Sequence, residues 1–443
     1  MTNQTDLKDK LIKDFEIFEG GLNGEASSAI HQIRKEAIQN FNRLGFPTVK
    51  NEDWKYTNVS SLTKQAFQQT LATGEATKNY DLSQFDIEGL DATKVVFVNG
   101  HYRADLSNID EEQDGLVIGS LHKAFTYSPQ LIEAHFSKYA DHENEPFVAL
   151  NTSFSIDGLF VHVPENYVVE KPIYVLHVID KALGDTLTSP RNLIIGAENA
   201  QCKIIQRYVD LKEENASFSN TVTEIVAADR AIIDHYIIQD EHQLANNLTE
   251  TVVKIGKEAR VDCHNYSLEG GLMRNKTNMV MHDEHCEGHL YGLYVLNEKQ
   301  HVDNRSLADH SSPNCMSNEL YKGILGGNSK GVFNGRIMVR RDAQKTNAYQ
   351  TNRNIIVSDD AQINTKPQLE IFADDVKCSH GCTIGQLDDD AIFYLRSRGL
   401  KEKQAKTFLL QAFAGEVLAK IKIEPLKEYL STRIFDKINS MMK

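Results

Sequence analysis

Hydrophobic positions change period twice along the chain. In the opening stretch they recur at helical spacing, first at Leu7, Leu11, Ile12, Phe15 and Phe18, then at Ile30, Ile33, Ala37, Phe41 and Leu44. The second pattern stops at Gly45-Phe46-Pro47, where proline cannot continue a helix. N-E-D-W-K-Y-T follows and holds the only tryptophan, Trp54. Residues 75–88 are polar and predict no element. From about Lys94 the pattern becomes short, alternating and β-branched: KVVFVNG, PIYVLHVI, RNLIIGA, KIIQRYV, TVTEIVA, AIIDHYII and TVVKIG. No helix-length pattern interrupts these runs before about Asp388. That excludes doubly wound α/β folds, which need crossover helices between parallel strands.

Helical periodicity then returns. Asp388, Asp389 and Asp390 place carboxylates at the positive end of a helix that runs through AIFYLRSR to Gly399, a favourable residue just past a helix end. A second helix carries Ala405, Phe408, Leu409, Ala412, Phe413, Val417, Leu418 and Ile421 on one face. Pro425 starts a third, at a position where its missing N–H costs nothing. The chain divides into an N-terminal helical domain (1–93), a β core (94–384) and a C-terminal helical domain (385–443).

The β tract holds a diffuse repeat: a polar turn, a small residue, then an alternating strand. It occurs at Ala200, Ala231, Ala259, Cys286 and Ala361, at spacings of 31, 28, 27 and then 75 residues, with a weaker copy at Lys330. Strand-bearing repeats of this length predict a solenoid. The expected fold class is therefore mainly β: a right-handed parallel β-helix core flanked by N-terminal and C-terminal α-helical domains. A stack of sandwiches is the competing arrangement.

Composition narrows the function classes. At 443 residues the chain is long enough for two or three domains, and 25% charged with 41% hydrophobic residues is ordinary for a globular protein. A net charge of −14 repels phosphates, so no nucleic-acid partner is expected. MTNQTDLKDKLIKDF has neither a basic start nor an apolar stretch behind it, so no secretory signal is expected. No apolar run reaches the ~20 residues that span a bilayer, so no membrane association is expected. These features predict a cytoplasmic protein. In that reducing setting the six cysteines read as thiols or ligands rather than a disulfide framework. Sequons such as Asn247-Leu248-Thr249 then carry no glycan.

No conventional catalytic motif is present. The chain lacks G-x-x-x-x-G-K-[ST], G-x-S-x-G, H-E-x-x-H and C-x-x-C, and G-G-N-S-K-G from Gly326 reads as a β-turn. Two clusters remain. H-D-E-H-C-E-G-H supplies His282, His285, Cys286 and His289, ligand types suited to zinc or iron. With Gly288 breaking the strand, it reads better as a solvated polar corner. K-C-S-H-G-C supplies Cys378, His380 and Cys382, which share one face of an extended strand. Two thiols flanking an imidazole make a partial metal site, open or completed by another chain. Equally, they fit as ordinary strand residues before a glycine turn.

That second cluster carries a resemblance. K-C-S-H-G-C-T-I-G-Q-L-D-D-D-A-I-F-Y-L-R-S-R-G-L resembles the C-terminal signature of the SufB/SufD family of iron–sulfur assembly proteins, on its SufD side. E-D-W-K-Y-T-N-V and F-L-L-Q-A-F-A-G-E-V-L extend the likeness, and the helix–β–helix order agrees throughout. Where SufB-type chains carry a scaffold cysteine in a Y-T-Q-C-like strand, this chain has Asn352. Where they carry Glu after the motif histidine, it has Gly381. Cys382 departs from the SufD pattern, which commonly has alanine there.

The resemblance implies a non-catalytic subunit of the SUF scaffold complex. Such a subunit pairs with a SufB-like paralogue and binds the ABC-type ATPase SufC through its C-terminal helices. It implies that Cys378 and His380 lie at the paralogue interface and assist iron entry and cluster formation, with Cys382 a weaker third candidate. Phe408, Phe413, Glu416 and Val417 are the candidate ATPase contacts. No cofactor is expected to stay bound to the isolated chain; iron or a nascent cluster would be held transiently in the complex. Two rivals stand beside this reading. One is a metal-dependent or carbohydrate-active β-helix enzyme using His282, His285, Cys286 and His289. The other is a homodimer acting alone as a binding module.

Overall fold

The computed structural model describes residues 7–22, 28–71, 78–109, 115–182, 184–211 and 215–442. From Leu159 onward the strands alternate between two parallel sheets, apart from the short Thr186–Thr188, which joins the first of them beside Ser217–Ala227. One sheet runs Leu159–Val163, Arg191–Gly196, Ser217–Ala227, Ala245–Ile255, Leu272–Met281, His301–His310, Lys330–Val339 and Gln362–Ile371. The other runs Ile173–Ile179, Gln201–Asp210, Ile232–Asp240, Arg260–Glu269, Glu287–Leu296, Met316–Leu325, Asn347–Ile356 and Lys377–Gly385. We call these the first and second sheets. Together they wind a β-solenoid of about 8 turns, as the repeat predicts.

The register sharpens that repeat. Gln201, Ile232, Arg260, Glu287, Met316, Asn347 and Lys377 pair in sequence along the second sheet. The residues just before them form one corner column: Ala200, Ala231, Ala259, Cys286, Cys315, Thr346 and Val376. Ala361 and Lys330 belong to the opposite corner, because Gln362 pairs with Lys330 in the first sheet. Each coil has two corners built alike, and the 75-residue gap arose from reading them as one series.

Alternate side chains fill a lumen between the sheets, where Val175, Ile204, Ile233, Val261, Leu290 and Phe333 are buried. Both sheet faces are covered over much of their length, which is why these strands read as nearly continuous apolar runs. The N-terminal helices Leu7–Gly20 and Ala29–Leu44 pack Leu11, Phe15 and Phe41 into a cluster with Leu187, Phe218 and Leu248 of the first sheet. Trp54 joins this cluster, with the Arg274 guanidinium 3.7 Å from its ring centroid. Of the polar stretch 75–88, residues 75–77 lie outside the described residues. Leu82 and Ile87, on either side of the short turn Ser83–Phe85, are buried against the second sheet.

Three short helices, Leu121–Tyr127, Pro129–His135 and Pro146–Ser153, correct the expectation of an uninterrupted β tract. Each is only seven or eight residues long, too short for a clear helical period. The buried Glu224 carboxylate fastens the connecting loop. It accepts from the backbone N–H groups of Ser137, Tyr139 and Ala140 and pairs with Arg191 at 2.7 Å. The C-terminal helices Asp389–Ser397, Glu402–Leu418 and Glu424–Met441 form at the predicted places. Asp388 caps the first through the N–H groups of Asp390 and Ala391. Leu410, Leu426, Leu430 and Ile434 cover the outer face of the second sheet. Among the described residues, no helix is long and apolar enough to cross a membrane.

Candidate functional site

The solenoid's last coil presents the K-C-S-H-G-C segment. Gln362–Ile371 and Lys377–Gly385 are the terminal strands of their sheets, each with a strand neighbour on one side only. Cys378 packs against the lumen cluster, so His380, Cys382 and Ile384, at steps of two, share the lumen-facing side. Register stacks Cys378 on Ala348, His380 on Gln350 and Cys382 on Asn352. Burial pushes the Cys378 thiol above its ordinary pKa. His380 and Cys382 are exposed, and the Cys382 sulfur lies 3.1 Å from the Thr365 hydroxyl of the facing strand.

One rung further in, Gln350 stacks on Glu319, which is fully buried. Glu319 accepts from the Ser306 hydroxyl at 2.7 Å and from the Gln350 amide at 2.9 Å. Loss of water pushes its carboxyl up to about 7. Beneath the exposed His380 therefore lies a buried polar column ending in a carboxyl that titrates near neutrality. Among the described residues, no three His, Cys, Asp or Glu side chains converge well enough to hold a metal ion. Cys378, His380 and Cys382 are aligned on one face but do not form a closed ligand set.

The His282 cluster does not assemble. His282 and His285 are exposed on a corner turn, with His285 at φ 62°. Cys286 points into the lumen corner, and His289 stacks beside Tyr291 on the outer face. Gly288 does not break the strand as expected: Glu287–Leu296 is continuous. A Cβ there would come within 2.3 Å of the Met279 sulfur across the lumen, so a larger residue would push the flexible Met279 and Met281 side chains aside.

The candidate ATPase contacts separate. Phe408 is 55% exposed and borders a shallow groove with Ala412, Gly415 and Ile434. Phe413 is half-buried under the Lys322 ammonium, 4.3 Å from its ring centroid. Glu416 is exposed but ion-paired with Lys322, and lies 3.6 Å from Arg353. Val417 is fully buried in the cluster between helix and sheet, so it faces no partner. The helix places Ala405, Leu410, Ala414 and Val417 inside. The single apolar face expected from sequence is split, because apolar residues surround this helix and packing selects among them.

Sequence reasoning missed several residues. Glu319, Gln350 and Thr365 look like ordinary strand polars until coil register brings them to the site. Phe372, Ile384, Phe393 and Tyr394 lie exposed along the open end and the helix after it, at 63%, 49%, 72% and 55%.

Two family profiles cover nearly the whole chain. The SufBD protein N-terminal region matches residues 5–175, and the SufBD core domain of SUF system FeS cluster assembly matches residues 177–413. The chain is 30% identical to the iron–sulfur cluster assembly protein SufD of Escherichia coli K12, over 90% of this chain and 91% of that protein. It is also 30% identical to an iron–sulfur cluster assembly SufBD family protein of Synechocystis, over 92% and 90%. A chloroplastic protein of Arabidopsis thaliana, ABCI7, is 26% identical over 93% and 87%. With the solenoid, the flanking helices and the K-C-S-H-G-C edge strand in the same chain, these matches establish that the protein belongs to the SufB/SufD family of iron–sulfur cluster assembly proteins.

Proposed function

We propose that this chain is the SufD-type, non-catalytic subunit of a cytoplasmic SUF scaffold complex. It pairs with a SufB-like paralogue through its open solenoid end and engages the SufC ATPase through its C-terminal helices. The observation that carries this reading is the open outer edge of the terminal strand Lys377–Gly385, which displays His380 and Cys382 beside exposed apolar side chains. An uncovered parallel edge with apolar neighbours suits strand addition by a partner. Two or three aligned ligands leave iron coordinatively unsaturated, so ligands from the partner would complete the site. An open site of that kind favours transient iron or nascent cluster handling over storage. The groove beside Phe408 fits a helix or loop of the ATPase, with the exposed ring as anchor. Without the paralogue, a second copy of this chain is the alternative occupant of the same edge.

The test is co-expression with SufB and SufC, followed by measuring complex recovery, iron and acid-labile sulfide. His380→Ala should leave the complex intact and lower iron and sulfide. Cys378→Ser should act in the same direction more weakly, and Cys382→Ser least. Wild-type cluster content in His380→Ala complexes would reduce these residues to interface packing. The purified lone chain should hydrolyse no ATP and retain no stoichiometric cluster; finding either would overturn the assignment. Phe408→Ser should weaken SufC pull-down, and unchanged retention would remove this groove from the interface.

A further inference from the structure

Cys286, freed from the histidine cluster, has a different neighbour. In the corner column it stands directly below Cys315 of the next coil, where the three preceding coils carry Ala200, Ala231 and Ala259. Neighbouring parallel strands lie about 4.8 Å apart, inside the Cα separation that a disulfide accepts. Both sulfurs bond the same carbonyl oxygen, that of Asp283, at 2.8 Å and 3.2 Å. They therefore lie close together, and each thiol interacts directly with the other. Both residues are almost wholly buried, behind corner turns whose outer residues, His282, Glu284 and His285, are exposed.

His310 completes the group. Its imidazole is buried, shares its Nε2 with the Ser317 hydroxyl at 2.8 Å, and leaves Nδ1 without a hydrogen-bond partner. The contact with Cys286 and the adjacent imidazole lower the Cys315 thiol, while the same contact raises Cys286. The imidazole beside Cys315 makes that thiol the natural nucleophile and Cys286 the resolving one. Cys202 and Cys263, also buried, are instead pushed upward by loss of water.

We propose that Cys286 and Cys315 are a redox-active dithiol, which hydrogen peroxide oxidises to a disulfide stapling two adjacent coils. Cys315 passes its proton to His310 and attacks one peroxide oxygen. The S–O bond forms, the O–O bond breaks, and the departing hydroxide takes the proton back from His310 to leave as water. The Cys286 sulfur then attacks the sulfenic sulfur. The S–S bond forms, the S–O bond breaks, and the second hydroxide leaves as water with the Cys286 proton. Two thiols and one peroxide give one disulfide and two waters.

The test uses the full chain carrying Cys378→Ser and Cys382→Ser, so that the exposed thiols and the assembly site play no part. After hydrogen peroxide treatment the protein is denatured, alkylated and mapped by mass spectrometry. Cys286 and Cys315 should resist alkylation until a reductant is added and should appear as one cross-linked peptide, while Cys202 and Cys263 stay alkylatable. Cys286→Ala and Cys315→Ala should each abolish the cross-link while keeping the fold, since alanine already occupies this column in neighbouring coils. His310→Gln should slow disulfide formation on the order of tenfold or more near pH 7. Free Cys286 and Cys315 after peroxide treatment, or oxidation of each to separate sulfinic acids, would overturn the proposal. An unchanged rate in His310→Gln would overturn the role of the imidazole.

Discussion

The two ends of the solenoid are finished in opposite ways. At the N-terminal end the second sheet closes with an antiparallel hairpin, Thr93–Val98 with His101–Tyr102. The first sheet closes with Val117–Ser120, antiparallel to Leu159–Val163. Leu121, Ile132 and Phe136 then cover Phe160, Leu193 and Ile195. At the C-terminal end two full-length strands stop in the open, and every residue of Lys377–Gly385 but Cys378 is exposed. Repeat arrays need polar or covered ends, and uncovered sheet edges invite pairing. Within one chain, then, one edge is closed by the protein's own residues and the other is left free. The family signature lies on the free one.

This comparison can be broken most sharply by placing the same charge on both kinds of rung. Val261→Asp, in the middle of the lumen, should bury an unpaired carboxylate and cost more than about 4 kcal/mol, enough to unfold much of the protein. Ile384→Asp, on the lumen side of the last rung, should cost the isolated chain less than about 1 kcal/mol, because water reaches that position. Equal losses in urea denaturation would mean that the end coil is as closed as the middle.

A second contrast is titratable. Glu319 sits two coils inside His380, with its carboxyl raised from 4.5 to about 7. Because the folded state holds that proton more tightly, stability is lost as pH rises from about 4.5 through 7, by roughly 3 kcal/mol at most. Glu319→Gln keeps an acceptor for Ser306 and should remove this loss. Its stability relative to wild type should therefore improve between pH 5 and pH 8. Parallel curves would place the carboxyl in contact with water. The buried histidines act in the opposite sense. His177 and His235, lowered to about 4 by burial, are neutral in the fold, so stability falls as pH drops from about 6.5 through 4.

Smaller effects separate the two sides of the helix Glu402–Leu418. Glu416→Gln loses the ion pair with Lys322 and should cost no more than about 1 kcal/mol, since the carboxylate is half exposed. Phe408→Ala should change the isolated chain by less than about 0.5 kcal/mol, its ring being mostly in solvent. A larger loss for Phe408→Ala in thermal or urea unfolding would mean the ring packs within the fold rather than serving a partner.

Much of the fold was legible because its signals are local. The Asp388 cap, the Gly399 stop at φ 98° and Pro425 in the first turn of the last helix all act within a few residues. The alternating runs were equally direct. The short helices between Leu121 and Ser153 were not, since seven or eight residues make only about two turns. Of the site, the Cys378–His380–Cys382 face follows from a period of two. The Phe408 face does not follow from its own period, because apolar residues encircle that helix.

By itself the sequence determined the helix–β–helix order, the solenoid repeat and the one-face alignment of Cys378, His380 and Cys382. Each is carried by neighbours along the chain. Only the tertiary structure decided which coils share a corner, that Cys286 meets Cys315 rather than His282 or His289, that Glu319 lies under His380, and that the last coil stays uncovered. The physical reason is register. Each coil's length is set by its turns, which vary by several residues, while pairing between coils is fixed by hydrogen bonds to the strand below. Side chains about 30 residues apart therefore become neighbours through pairing that local pattern does not encode.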